Sequence, residues 1–292
     1  MTLIDHLPGR PSAEARLAGY SGYLARLAAQ RAAAHVQPAL PAGRSVRDLA
    51  ILCVLAEGPV SQSTLGTALE VNRTVMITVI DDLENALLVR RERDPADRRR
   101  YALRITPEGG SALRQMLQSA DEAERTLTAG LGRPGTRRLA ELLTLIVPDL
   151  TRALPETVTG RVFFLLYYAA ARLRRQREQA MRRIGLEPRC VGMLVALDSA
   201  QPCTQERLAG CMGVTGPTIV TAVDEMHSAG LIHRDRNPAD RRAHVLRLTP
   251  DGEAYLMTAL RAEDSAQGEL AVTLGAAEVT QLNALLSAIL AG

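Results

Sequence analysis

The sequence predicts a mainly α-helical chain built from two copies of one domain, each copy carrying a small β-hairpin. Three observations predict it. A segment occurs twice: Asp94-Pro95-Ala96-Asp97-Arg98-Arg99 returns 143 positions later as Asn237-Pro238-Ala239-Asp240-Arg241-Arg242. The same offset carries Thr106-Pro107 onto Thr249-Pro250, Ser61-Gln62 onto Thr204-Gln205, and Leu139, Leu142 and Leu143 onto Leu282, Leu285 and Leu286. So long a period makes the repeated unit a whole domain rather than a solenoid turn. The composition, 47% hydrophobic and 23% charged over 292 residues and rich in Ala, Leu and Arg, suits a folded helical chain. Finally, the apolar period switches from helical to alternating once per copy, at Tyr101-Leu103-Ile105 and at His244-Leu246-Leu248. The domains are expected at residues 1–150 and 151–292.

Each element follows from local chemistry. Pro8, Gly9 and Pro11 mark a loose arm, after which a helix is expected from Ala13 to Val36, ending at Pro38. A second helix spans Val46–Leu55 and stops at Gly58-Pro59. Ser61 caps a third, with Leu65 and Leu69 on one face. Asn72 caps a fourth that runs to Asn85, with Val75, Val79, Leu83 and Leu87 as its expected buried stripe. Strands near 88–93 and 231–236 pair with 101–105 and 244–248 across a turn in which Pro presets φ. Thr106-Pro107 and Thr249-Pro250 read as a Thr N-cap with Pro in the first helical position, so a long helix follows each hairpin. A Leu-rich helix at 135–147 closes the first copy. Residues 148–157 are the expected linker, and helices at 157–184 and 276–290 open and close the second copy.

A helix, a turn, a capped helix and a hairpin tipped with arginine make a winged helix-turn-helix. From Arg90 to Arg104 there are seven arginines against three acids, and from His233 to Arg247 five against two. A capped helix of this length fits the major groove of DNA, and an arginine at a hairpin tip fits the narrow minor groove. The net charge of +3 alone would not imply nucleic acid; the clustering does.

Other chemistries find little support. There is no phosphate-binding loop, dinucleotide fingerprint or nucleophile elbow, so an enzyme is not expected, and no cofactor is implied. Four cysteines without CxxC spacing read as reduced thiols, Cys53 buried and Cys203 and Cys211 partly exposed; the five histidines lack metal-ligand spacing. No basic segment leads into an apolar stretch at the N-terminus. The longest apolar run, Val162–Ala171, is too short for a bilayer, so a cytoplasmic protein without membrane contact is expected.

The stretch VNRTVMITVIDDLENALLVRRERDPADRRRYALRITPEG and its counterpart VTGPTIVTAVDEMHSAGLIHRDRNPADRRAHVLRLTPDG resemble the MarR family of bacterial transcription regulators. Members of that family are usually homodimers of a chain about half this long. The resemblance implies double-stranded DNA as partner and two winged helix-turn-helix domains joined by a helical pseudo-dimerisation region. By correspondence of positions, Asn72, Arg73, Thr74 and Thr78 would read the major groove, as would Thr215, Pro217, Thr218 and Thr221. In the wings, Arg99 and Arg242 match the minor-groove arginine and Asp97 and Asp240 the acid that orients it, with Arg98, Arg100 and Arg241 beside them. Two departures stand out. Thr78 and Thr221 occupy positions where the family often has a base, and Gly216 replaces Arg73. Ile77 and Val220 would then touch thymine methyls, and the two halves would read unequal half-sites.

Six of the eight aromatic residues lie at Tyr20, Tyr23, Phe163, Phe164, Tyr167 and Tyr168. The resemblance places Tyr20, Tyr23, Phe164, Tyr167 and Tyr168 near a cleft that could take a small aromatic effector; packing between the halves is the other reading. The resulting expectation is a ligand-responsive repressor, monomeric as an intramolecular pseudo-dimer, acting on an imperfect palindrome. The competing expectation is a degenerate relative that binds a small molecule or another regulator without specific DNA binding.

Overall fold

The computed structural model describes residues 13–93, 101–236 and 244–292. In chain order the helices of the first half are α1 (Ala13–Leu17), α2 (Ser21–Val36), α3 (Val46–Glu57), α4 (Gln62–Ala68), α5 (Arg73–Asn85), α6 (Pro107–Leu127) and α7 (Gly132–Ile146). Those that follow are α8 (Pro148–Ala153), α9 (Glu156–Thr159), α10 (Val162–Arg183), α11 (Pro188–Ala200), α12 (Gln205–Met212), α13 (Gly216–Ser228), α14 (Pro250–Leu274) and α15 (Ala276–Ala291). Strands β1 (Val60–Ser61), β2 (Val89–Arg93) and β3 (Tyr101–Ile105) belong to the first copy, and β4 (Cys203–Thr204), β5 (Ile232–Arg236) and β6 (His244–Leu248) to the second.

Two compact units emerge. The first joins Ala25–Arg172 to Ala276–Gly292; the second joins the segment up to Leu24 to Leu173–Gly275. Compaction therefore runs across the repeat boundary near residue 150. In the first unit α15 packs on α7, and in the second α1 packs on α11. The α7–α15 pairing follows from composition: buried Leu139, Leu142, Leu143 and Ile146 meet a helix whose Leu282, Leu286 and Ile289 are buried as well. The helix expected from Ala13 to Val36 is interrupted between Leu17 and Ser21. The expected linker carries two short helices, α8 and α9, the first opened by Pro148 in its first turn.

Each winged helix holds a three-stranded antiparallel sheet, in the orders β1-β3-β2 and β4-β6-β5. The alternating segments pair as expected, from Val89↔Ile105 to Arg93↔Tyr101 and from Ile232↔Leu248 to Arg236↔His244. The third strand was not legible, since two residues have no period. Ser61 ends β1 and also caps α4, its Oγ accepting from the Thr64 amide at 3.1 Å.

The T-P-x-G sequence fixes where each wing returns to the helical core. Thr106 Oγ1 accepts from the Gly109 amide at 2.9 Å and donates to the Leu87 carbonyl at 2.6 Å. Thr249 makes the same bonds to Gly252 (2.9 Å) and Gly230 (2.7 Å). The helix start then lies so close to the residue leading into β2 that a Cβ on Gly109 would sit 2.0 Å from the Leu88 carbonyl oxygen. A Cβ on Gly252 would lie equally close to that of Leu231. Only glycine fits at either place.

Candidate nucleic-acid interface

The faces expected to read DNA are set by what α5 and α13 bury. In α5 the buried side chains are Met76, Ile80 and Leu83. This corrects the expected stripe: Val75 and Val79 are only partly covered, and Leu87 lies past the helix end, 68% exposed and at φ +59°. The i, i+4, i+7 spacing of Met76, Ile80 and Leu83 defines a face as well as the expected set did, and burial chose it. Asn72, Arg73, Thr74, Ile77 and Thr78 are consequently all exposed. In α13, Ile219, Val223 and Met226 are buried, and Thr215, Pro217, Thr218 and Thr221 are all exposed. Ile77 (41%) and Val220 (47%), 143 positions apart, are the exposed aliphatic residues in the middle of these faces.

Polar groups on the two faces are arranged differently. Asn72 Oδ1 accepts from the Val75 amide at 2.9 Å and so caps α5. Thr215 makes no such cap; its hydroxyl lies 3.0 Å from that of Thr218. The Thr78 and Thr221 hydroxyls donate back to the carbonyls of Thr74 and Pro217, each at 3.3 Å, which leaves them acceptor capacity outward. On the first face Arg73 is the only charge among the five expected readers, and the second face has none among its four.

The wings divide their arginines. Arg91 on β2 forks to Asp81 (2.5 Å) and Glu84 of α5, tying the wing to the recognition helix, and its amide donates to Glu84 at 3.0 Å. Arg90 and Arg104 share Glu92, each at 2.7 Å. In the second copy Arg234 pairs with Asp224 of α13, and Arg247 lies 3.7 Å from Asp235. Several of the clustered arginines therefore hold the hairpin together rather than face a partner. The expected tip residues Asp97, Arg98, Arg99, Arg100, Asp240, Arg241 and Arg242 lie outside the described residues.

Comparison with known proteins matches this architecture twice. The MarR family pattern matches residues 184–243, and that of a winged helix DNA-binding domain matches 45–109. The chain belongs to the MarR family, with two such domains in tandem. A protein of Thauera aromatica assigned to transcriptional regulation of the hcr operon is 38% identical over 82 residues. These make up 28% of this chain and 49% of the relative, so the chain spans about half the length of the curated relative it matches. Among solved structures, a transcriptional regulator from Pseudomonas aeruginosa aligns at 31% identity over 42% of this chain and 93% of its own, with TM-score 0.40. The repressor CouR, solved on a 23-mer DNA duplex, aligns at 27% identity over 47% of this chain and 98% of its own, with TM-score 0.42. PcaV of Streptomyces coelicolor, solved with its natural ligand, aligns at 26% over 47% and 92%, with TM-score 0.39.

In this MarR-family chain the aromatic residues divide between the units. Tyr20 and Tyr23 belong to the second unit, where the Tyr20 hydroxyl donates to Asp264 and burial with that carboxylate pushes its pKa up to about 12. Phe164, Tyr167 and Tyr168 belong to the first unit. Phe164 and Tyr168 are buried there, burial raising the Tyr168 hydroxyl strongly, while Tyr167 remains exposed. Burial also pushes the Cys53 thiol up to about 11. Cys203, expected to be partly exposed, is buried because β4 pairs it with Leu246 of β6; Cys211 is exposed. Among the described residues no helix is by itself long and apolar enough to cross a membrane, and no three metal-ligating side chains converge.

Proposed function

We propose that this chain is a sequence-specific, double-stranded-DNA-binding transcriptional regulator that acts as a single-chain pseudo-dimer on an imperfect palindrome. The observation that carries the reading is a pair of exposed faces, on α5 and α13, at the same positions of two winged helices. Each face lies at the positive end of its helix dipole, where phosphate is favoured, and offers threonine hydroxyls and one β-branched methyl surface to base edges. The assignment of the Thauera aromatica relative to transcriptional regulation supports the same output.

Intramolecular pairing is supported by α7 and α15. Arg138 Nε donates to Gln281 Oε1 at 2.8 Å, and these residues are 143 positions apart. A contact between equivalent positions is what occurs on the axis of a two-fold interface. Fusion makes such pairing independent of protein concentration. Repression by occupying a promoter is the output this reading assigns, with Tyr167, the most exposed of the candidate aromatic set, open to a small aromatic effector.

A gel shift on DNA upstream of the chain's own reading frame, repeated at raised salt, tests the proposal. Specific binding that weakens steeply with salt, at one chain per duplex by sedimentation, is expected. Absence of binding at every salt would favour a module that binds another regulator. In the wings, Arg99→Ala and Arg242→Ala should each weaken binding by about 1–3 kcal/mol, the scale of one lost groove contact, with the fold intact by circular dichroism.

A further inference from the structure

We propose that the first unit carries a separate binding site for a small polyanion, in the cleft between the end of α6, the first turns of α7 and the start of α10. The cleft is open to solvent and spans about 930 Å³, room for a metabolite-sized ligand, and Arg125, Arg133 and Arg137 line it.

The acids beside these arginines are already engaged. Asp121 takes Nε and Nη2 of Arg161 at 2.8 and 3.2 Å. Glu124 accepts the Phe163 amide at 3.1 Å and so caps α10. Of the three carboxylates in the cleft, Glu156, exposed at its edge, is the one without a side-chain partner among the described residues, against three guanidinium groups. Arg125 spends its Nε on the Asp121 carbonyl, which leaves its terminal nitrogens. Neither Arg133 nor Arg137 has an ion pair or hydrogen bond among the described residues.

The repeat shows that the fold does not require these charges. At the equivalent positions 143 residues later stand Gly268, Ala276 and Thr280. Three arginines present in one copy, absent from the other and converging on one concavity point to a ligand rather than to helix formation. Guanidinium forks pair bidentately with carboxylate or phosphate, and two or three of them call for a ligand with at least two anionic groups.

Isothermal titration of the full chain with citrate and, separately, with pyrophosphate tests the site. At least one probe is expected to bind at one per chain. Citrate alone would assign a polycarboxylate, pyrophosphate alone a phosphorylated ligand, and both a general polyanion site. The double substitution Arg133→Gln/Arg137→Gln, at exposed positions, should weaken binding at least about tenfold, while Arg174→Gln, remote on α10, should leave it unchanged. Loss of binding would count only with an unaltered circular dichroism spectrum and melting temperature; if the double variant is misfolded, Arg137→Gln alone serves as the second variant. Neither probe binding at millimolar concentration, or equal binding by a folded arginine variant and the parent, would overturn the proposal.

Discussion

Ahead of α5 the chain turns through Glu70 at φ +53°, while at the same point ahead of α13 it turns through Gly213 at +64°. Behind α5 it turns through Leu87 at +59°, and behind α13 through Gly230 at +72°. Helix α5 is thus bracketed by two side chains in the left-handed region, α13 by two glycines that tolerate it. Left-handed backbone costs a non-glycine residue roughly 1–2 kcal/mol. The side chains differ in the opposite sense. α5 has the Asn72 cap and an arginine forked to two acids; α13 lacks the cap, and His227 stands where Glu84 does, its Nδ1 3.0 Å from the Ile232 carbonyl. One helix is held by side-chain bonds against a reluctant backbone, the other by a compliant backbone with fewer bonds. The same path can be secured in either way.

The largest expected effect sits on the reading faces. Arg73→Ala should cost about 1–3 kcal/mol of DNA affinity, on the scale of one base contact, and should flatten preference within one half-site only. Gly216→Arg should narrow the difference between the halves. Gel-shift titration on duplexes with either half-site duplicated measures both, and equal affinity for the two symmetrised duplexes would end the idea of unequal halves. A smaller effect is expected at the turns. Glu70→Gly and Leu87→Gly should each stabilise by roughly 1 kcal/mol in urea unfolding, whereas Gly213→Ala and Gly230→Ala should destabilise by a similar amount. Destabilisation by both glycine replacements would show that contacts of Glu70 and Leu87 outweigh the strain.

The smallest effect concerns the helix starts. Glu124 caps α10, while at the equivalent position Gln267 caps α2 through the Ser21 amide at 3.0 Å. Burial raises the Glu124 carboxyl above the ordinary 4.5, against the lowering effect of the Phe163 and Val162 amides and Arg161. The folded state then holds a proton that the unfolded chain gives up. Its contribution to stability is full below the ordinary value and is lost as pH rises through the raised one. Glu124→Gln should reduce that loss. Glu263, raised by burial beside Arg177, would keep its own share. Melting temperatures across the mildly acidic range would show it; parallel curves for parent and variant would remove Glu124 from the pH dependence.

Much of this was readable in the residues. Ser61, Asn72, Thr106 and Thr249 cap the helices their side chains announced, because capping needs only an oxygen and a nearby amide. The positions that prove exposed on α5 and α13 came from the family resemblance, whereas the periodicity of α5 alone picked a stripe of which only Leu83 is buried. What was hidden depends on distant partners. Arg91 sits in an arginine-rich run, yet the acids that claim it are on α5. The placement of α15 on α7 needs a second apolar face, and either Leu-rich helix alone is silent about which one. Gly109 and Gly252 left a signal, a glycine kept at both copies after Thr-Pro, whose cause is a carbonyl contact visible only in three dimensions.

The hydrogen bond from Arg138 to Gln281 has a consequence for fidelity of assembly. A separate-subunit protein must put the same residue on both sides of its axis, whereas one polypeptide can place a cation opposite an amide. Were α7 to pair with α7 of another molecule, two guanidinium groups would confront each other where a single chain makes a bond. Like charges so juxtaposed repel, and under the proposed single-chain pairing that mismatch would disfavour exchange of α7 between molecules.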